Sequence, residues 1–513
     1  MMTGVLVYSF AVAVVLPPLL KRFPSVTGGA MGLPVPEPWA PLLEADQWLY
    51  FLVLAVAGAA YAMARNLAGS RGGRALTAVR EHPAAAETLG MRPAAHMTHA
   101  FAWSAMYAGA AGALYTWTTG FVSPDSFPVS LSITLLAGVV IGGLYPLSGP
   151  ASAYAAVAQG ARAYFEHVND SGGVDGRRVE FVVRDDAYQP GRAVEQARRL
   201  VLRDRVFALF QTLGTPSTAA VREFAARRGV PQPFVATGAT EWGTDTAHPW
   251  TIGLQPSYAA EARVYARYLA ESAPRARVAV LYQNDDFGHD LLDGFRQAIE
   301  GTEVRIVAVQ SYEVTDPGVQ GQLANLAASG ADVLLDVSTP KFAAQALAAD
   351  AAMTGWNPLH ILNGVAASPA VLGPVGHDKV QGVVTAGFQK DPAAPEWADD
   401  PAVRAYVAAV RRHVPGADPG GQQVVYGWTA AQAFVRTLER MRCPSREGLR
   451  AAMRSLSGVK LDLLLPGITL STGPGDGFPI ESMQLARFER DRWVRFGRVI
   501  DTRAEFGPVP APR

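Results

Sequence analysis

The chain has 513 residues, 45 basic and 45 acidic, for a formal net charge of +0. That balance gives no general field for holding a nucleic acid. The one cysteine, Cys443, excludes an intramolecular disulfide and a thiolate metal cluster within the chain. At roughly 150 residues per domain the length points to about three domains.

Composition is segregated along the chain. Apolar runs crowd residues 1–144, and mixed charged patterns lie beyond them. Crossing the ~30 Å core of a bilayer takes about 20 apolar residues, with a lower limit near 17. Residues 4–20, 47–64 and 98–120 meet that length. No basic residue precedes the first and no A-x-A site follows it, so it reads as a span rather than a signal peptide. Between the second and third spans lie Arg65, Arg71, Arg74, Arg80 and Arg92. The positive-inside rule puts them in the cytoplasm, so the third span runs outward.

The stretch 137–154, AGVVIGGLYPLSGPASAY, has two readings. From the left it completes an apolar region beginning at Val129. From the right, AGVVIGGL is the first buried strand of an α/β domain and YPLSGPAS the loop into its first helix. Beyond it, apolar β-branched runs at 179–183, 206–210, 278–282, 304–309, 333–337 and 383–386 alternate with helical stretches such as 193–202. Alternation of this kind means parallel sheets covered by helices on both faces, and the length favours two such sheets.

Two resemblances follow. SRGGRALTAVREHPAAAETLGM, AFAWSAMYAGAAGALYTWTTGFVSPDSF and LSITLLAGVVIGGL, with SVTGGAMGLPVPEP before them, resemble the permease subunits of branched-chain amino acid ABC transporters. The resemblance implies that 80–90 docks on an ATPase subunit. It covers only part of a permease, too little for a pathway. PLSGPASAY, GARAYFEHVNDSGGVDGRRVEFVVRDDAYQPGRAVEQARRL, LGTPSTAAVREFAARRGVPQPFVATGAT, WTIGLQPSY and AVLYQNDDFG resemble periplasmic solute-binding proteins of the leucine/isoleucine/valine-binding type. This second resemblance implies a periplasmic binding protein type I fold: two parallel-sheet α/β lobes with a hinge, preceded by an α-helical transmembrane region. The expected division is 1–136 for the permease-like region and 137–513 for the solute-binding domain. Lobe one is placed at about 138–255 and 386–470, and lobe two at about 256–385 and 471–500.

In open parallel sheets ligands sit beyond the carboxyl ends of strands. VFALF is followed by QTLGTPSTAAV, which puts Thr215, Ser217 and Thr218 at a helix start, suited either to N-capping or to holding a carboxylate. The resemblance implies the second role, shared with Thr237, Gly238, Ala239 and Thr240 at the next strand end. It also implies aromatic walls at Tyr154 in lobe one and Phe287 in lobe two, with Tyr258 in the loop after WTIGLQPS. Amino-acid binders of this type pair the ligand ammonium with an acid from lobe two. The segment expected to supply it reads HILNGVAASPAVL, with no Asp or Glu at 363–365. Asp285 or Asp286 could stand in, although both read as helix-start residues; a ligand without an ammonium is the other possibility.

There is no G-x-x-x-x-G-K-[ST] loop, G-x-S-x-G elbow, H-E-x-x-H pair or His/Cys cluster, so no cofactor, metal or catalysis is expected. The expected role is the substrate-binding component of an ABC importer. It captures a branched-chain amino acid or a related small carboxylate or amide by hinge closure, with permease and ATPase subunits and the membrane as partners. If 137–144 is the first strand of lobe one, span three has already delivered the domain to the periplasmic side of a bacterial inner membrane. The competing readings are a ligand sensor and a chimera of adjacent transport genes sharing GVVIGGL.

Overall fold

The computed structural model describes residues 22, 33–34, 45–81, 87, 90–119, 121–122, 139–244, 247–473 and 475–509. The chain divides into two compact units, 1–136 and 137–513.

In the first unit, helix α1 (Ala45–Gly69) turns at Ser70 into α2 (Arg71–Glu81), and α3 (Pro93–Thr119) follows. Ser70 fixes the turn: its Oγ donates to Leu67 O and accepts from Gly73 N–H. Tyr107 ties α3 to α1 by donating to Ala60 O at 3.2 Å. Along α1 the side chains of Tyr50, Phe51, Leu54 and Tyr61 are exposed. Among the described residues one helix, Gln47–Gly69, is long and apolar enough to cross a membrane. The expected third span falls on α3 up to Thr119, a helix that is long enough but is diluted by histidine, threonine and glycine. The expected first span, 4–20, lies outside the described residues.

In the second unit the ambiguous stretch is a strand, β1 (Val139–Tyr145). It pairs in parallel with β2 (Val179–Asp185) from Val139↔Val179 to Tyr145↔Asp185, and on its other side with β3 (Ala208–Leu209). Ile141, Leu144 and Tyr145 are fully buried. Glycine inside a strand is normally a weakness. Here a Cβ on Gly142 would stand 2.9 Å from the Leu200 side chain, and one on Gly143 2.5 Å from the Tyr145 ring. Helix α4 (Ala155–Asp170) covers one face and α5 (Pro190–Arg198) the other, the latter ending in a π turn at Arg199–Arg203 rather than running on. After α6 (Thr215–Arg227) come β4 (Gln232–Val235) and β5 (Thr251–Gly253). They extend the sheet through Leu209 N–H to Pro231 O and Gln211 N–H to Pro233 O.

Helix α7 (Tyr258–Ser272), capped by Ser257, opens the second lobe. Its sheet holds β6 (Arg277–Gln283), β7 (Arg305–Tyr312), β8 (Val333–Val337), β9 (Leu359–Leu362) and β10 (Val384–Gly387). These are parallel in the order β10-β9-β8-β6-β7. Helices α8 (Asp286–Ala298), α9 (Gln320–Ala328) and α10 (Pro340–Ala352) alternate with the strands. The chain then contributes α11 (Pro401–His413), α12 (Gln422–Leu438) and α13 (Arg446–Met453), whose buried residues pack with those of β1 and α4. It returns to the second sheet as the antiparallel strands β11 (Ser482–Glu489) and β12 (Arg492–Arg495). Three crossovers therefore join the lobes: after Gly253, after Gly387 and before Ser482.

The α4–α12 contact is unusually close. A Cβ on Gly160 would stand 1.9 Å from Val424 O, and one on Gly427 1.9 Å from Val157 O. These two glycines let the helix backbones touch, with Tyr164 and Trp428 edge to face beside them at 4.8 Å.

Candidate ligand-binding site

A cavity of about 90 Å³ opens where the two sheets present their strand ends. Lobe one supplies Tyr154, Tyr188, Gly214 and Thr215. Lobe two supplies Tyr258, Glu261, Phe287, Thr339 and Gly364, and Gly387 and Gln389 stand at a crossover.

On the lobe one side, α6 starts at Thr215 behind Gly214, whose φ of 93° lies in the left-handed region. A Cβ on Gly214 would meet the Tyr188 ring at 2.5 Å, so glycine is required on two counts. The first-turn N–H groups of a helix have no intrahelical acceptor, and Pro216 already lacks one. Gly214 N–H is taken by Ala236 O and Thr218 N–H by Gly214 O, which leaves the N–H groups of Thr215 and Ser217 at the positive end of the helix, that of Thr215 beside the cavity. Tyr188 reaches it from a strained loop: Ala187 and Tyr188 both have left-handed φ, 51° and 60°. Asp185 Oδ1 accepts from Ala187 N–H and Asp186 Oδ1 from Tyr188 N–H, which holds the loop.

On the lobe two side, Tyr258 and Phe287 stack edge to face at 4.9 Å. Thr339 is fixed by Gln283, whose Oε1 accepts from Thr339 Oγ1 at 3.0 Å and from Tyr312 Oη at 3.2 Å. Burial, before any charged neighbour, drives the phenols of Tyr154, Tyr188 and Tyr258 far above the ordinary tyrosine range. They are neutral hydrogen-bonding walls at any physiological pH.

Of the residues expected from sequence, Tyr154, Thr215, Tyr258 and Phe287 line this cavity. Ser217, Thr218, Thr237, Gly238, Ala239 and Thr240 do not line it; they brace its edge. Thr218 Oγ1 donates to Thr212 O. Thr237 Oγ1 lies 2.6 Å from Thr215 Oγ1 and accepts from Ala239 N–H. Gly238 O accepts from Tyr258 N–H at 2.7 Å. Thr240 donates through both N–H and Oγ1 to Asp290 Oδ2 of lobe two, each at 2.9 Å. Ser217 is buried next to Asp186, whose carboxyl burial pushes up to about 6. Asp285 is committed to capping α8, accepting from Phe287 and Gly288 N–H, and Asp286 is exposed, so neither faces the cavity.

Sequence reasoning passed over Tyr188, Glu261, Thr339 and Gln389. Glu261 carried a signal: it lies one turn after Tyr258 on the same helix face. Its position in the first turn of α7 is one where the helix dipole favours an acid in any case.

The model of the family described as periplasmic binding protein matches residues 138–492, well over half of the chain. That described as branched-chain amino acid transport system, permease component, matches residues 4–165, so both claim 138–165. The Leu/Ile/Val-binding protein homolog 7 of Brucella suis biovar 1 is 25% identical over 340 residues, 61% of this chain and 82% of the relative. A branched chain amino acid ABC transporter structure from Thermus thermophilus with bound valine superposes with TM-score 0.65 at 18% identity, over 72% of this chain and 99% of that one. The fatty acid ABC transporter substrate-binding protein from Thermomonospora curvata gives TM-score 0.62 at 23% identity, over 72% of this chain and 95% of the other. The shared architecture is two parallel-sheet lobes joined by three crossovers, the type I fold of these proteins. These relatives are transport-related binding proteins. With the matched length and the cleft between its lobes, this chain belongs to the periplasmic binding protein family and is similar to its Leu/Ile/Val-binding homologues.

Proposed function

We propose that this chain captures a small carboxylate-bearing solute between its lobes and presents it to an ABC importer, without catalysis of its own. The observation that carries this reading is the convergence of Tyr154 and Thr215 from one lobe with Tyr258 and Phe287 from the other on one cavity at the strand ends. The first turn of α6 offers unpaired donors to a carboxylate, and the aromatic pair offers a wall to an apolar side chain. Hinge closure about the three crossovers brings the two sets together. Two of the similar structures are named for valine and for fatty acid, both of which end in a carboxylate, and this supports a carboxylate-bearing solute here. The permease-like stretch makes the protein membrane-associated. In this reading it tethers the binding domain to the periplasmic face of an inner membrane, with permease and ATPase subunits as partners.

The test is a thermal-shift screen of the full chain in detergent against amino acids, aromatic acids and small amides. Ligand at ~100 times Kd stabilises by about 2.7 kcal/mol, and silence from a cooperatively folded chain overturns the reading. The tether has its own check. Reporter fusions after Tyr145 are expected to report the periplasm, and cytoplasmic activity there refutes the topology.

A further inference from the structure

The acid missing from 363–365 is replaced in space by a residue from elsewhere. Glu261, on α7, lies against this loop: its Oε1 accepts from Gly364 N–H at 2.7 Å. Glycine at 364 is set by the neighbouring strand, since a Cβ there would stand 2.9 Å from Ala386 O, while the two Glu261 carboxylate oxygens would lie at contact distance from it, 3.6 and 3.8 Å. Tyr265 Oη lies 2.7 Å from the same Oε1 and accepts from Ala386 N–H, so the carboxyl group is held on two sides. Glu261 is 5% exposed and lines the cavity, and its Oε2 has no partner among the described residues. Among the described residues no Lys or Arg pairs with it. A buried carboxylate without a counter-ion is costly, so this wall is built for a cation that arrives with the ligand.

We propose that Glu261 receives the protonated amine of an α-amino acid whose carboxylate rests at Gly214 and Thr215, supplying from α7 the charge that the 363–365 loop lacks. The proposal rests on the reading of the cleft as a carboxylate-capturing site and narrows its solute to a zwitterion. The surroundings agree: burial, opposed by the Gly364 and Tyr265 hydrogen bonds, pushes the Glu261 carboxyl up to about 7. The group is thus partly neutral until a cation joins it.

The test compares L-amino acids with their des-amino counterparts, leucine against isocaproate and phenylalanine against hydrocinnamate among them, by titration calorimetry on the full chain in detergent. The wild type is expected to bind at least one amino acid roughly 30-fold or more tighter than its des-amino partner, the scale of losing one member of a buried charge pair. Glu261→Gln, which keeps the shape and the Gly364 contact, removes that preference while leaving des-amino affinity within a few-fold. Glu261→Asp, which keeps the charge, retains part of it. A wild type that binds both members of each pair equally, or only the des-amino acids, overturns the inference and leaves solute capture standing. Equal weakening of both members in Glu261→Gln also overturns it, by making Glu261 structural. A folded wild type that binds no member of the panel overturns the inference and the solute-capture reading together.

Discussion

His360 is held by two carboxylates at once, with Nδ1 3.0 Å from Asp350 Oδ2 and Nε2 3.2 Å from Asp336 Oδ2. Its side chain is 3% exposed and that of Asp336 0%. Burial alone lowers a histidine pKa; the hydrogen bonds and charges of Asp336 and Asp350 outweigh it and raise this one to about 9. A raised folded value stabilises fully below the unfolded value of ~6.5 and ceases to do so as pH passes the folded one. Melting temperatures are therefore expected to fall between about pH 6.5 and 9, and the fall to flatten in His360→Gln. His360→Leu, which leaves Asp336 buried without its partner, is expected to cost about 3 kcal/mol or more in chemical denaturation at neutral pH. At the cavity the decisive residues are the aromatic ones. Phe287→Ala removes the ring that Tyr258 stacks on, and about a 10-fold loss of ligand affinity is the expected outcome by calorimetry.

Among the elements, the α4–α12 pair sets a sharp expectation because two effects oppose each other. Alanine in place of a mid-helix glycine ordinarily gains up to about 1 kcal/mol. At Gly160 or Gly427 the added Cβ would lie 1.9 Å from a backbone carbonyl oxygen that cannot rotate away. Overpacking of that kind costs about 3 kcal/mol or more and wins. Either alanine variant should lower the denaturant midpoint, whereas Gly321→Ala on α9, with open space around it, should not. The strands were legible in sequence where they form β-branched apolar runs: each of the six runs overlaps a strand, although 206–210 contributes only Ala208–Leu209, and 139–145 is a strand too. Short strands were not. Gln232–Val235 and Thr251–Gly253 each hold only a few residues broken by proline, polar side chains or glycine, and they become strands through neighbours already in place. The site was legible to the extent that it is local. Thr215 follows from strand–loop–helix order, and Phe287 from the family resemblance of its loop. Glu261 meets Gly364 across 103 positions of sequence, and no spacing rule reaches that far.

At the scale of the second unit, the lobes meet through apolar packing of Val235, Ala239 and Trp242 with Tyr258 and Phe287, and through hydrogen bonds. Asp290 of α8 accepts both Thr240 donors, and burial raises its carboxyl to about 7. Tyr188 and Gln283 approach at 3.5 Å across the cleft. Asp290→Ala removes the first contact without touching the cavity wall. It is expected to shift the lobes toward the open form, seen as faster ligand dissociation with a smaller change in association rate. The region claimed by both family matches, 138–165, has a further consequence. It contains β1, which has a partner on each side in the lobe one sheet, and most of α4, which carries Gly160. Ending the permease-like part at its own boundary would thus carry off a middle strand of the receptor that follows. The two parts are not interchangeable cassettes: a swap made after Tyr145 and inside the shared region leaves the second part without the strand its sheet is built around, and a working graft has to be cut ahead of Val139.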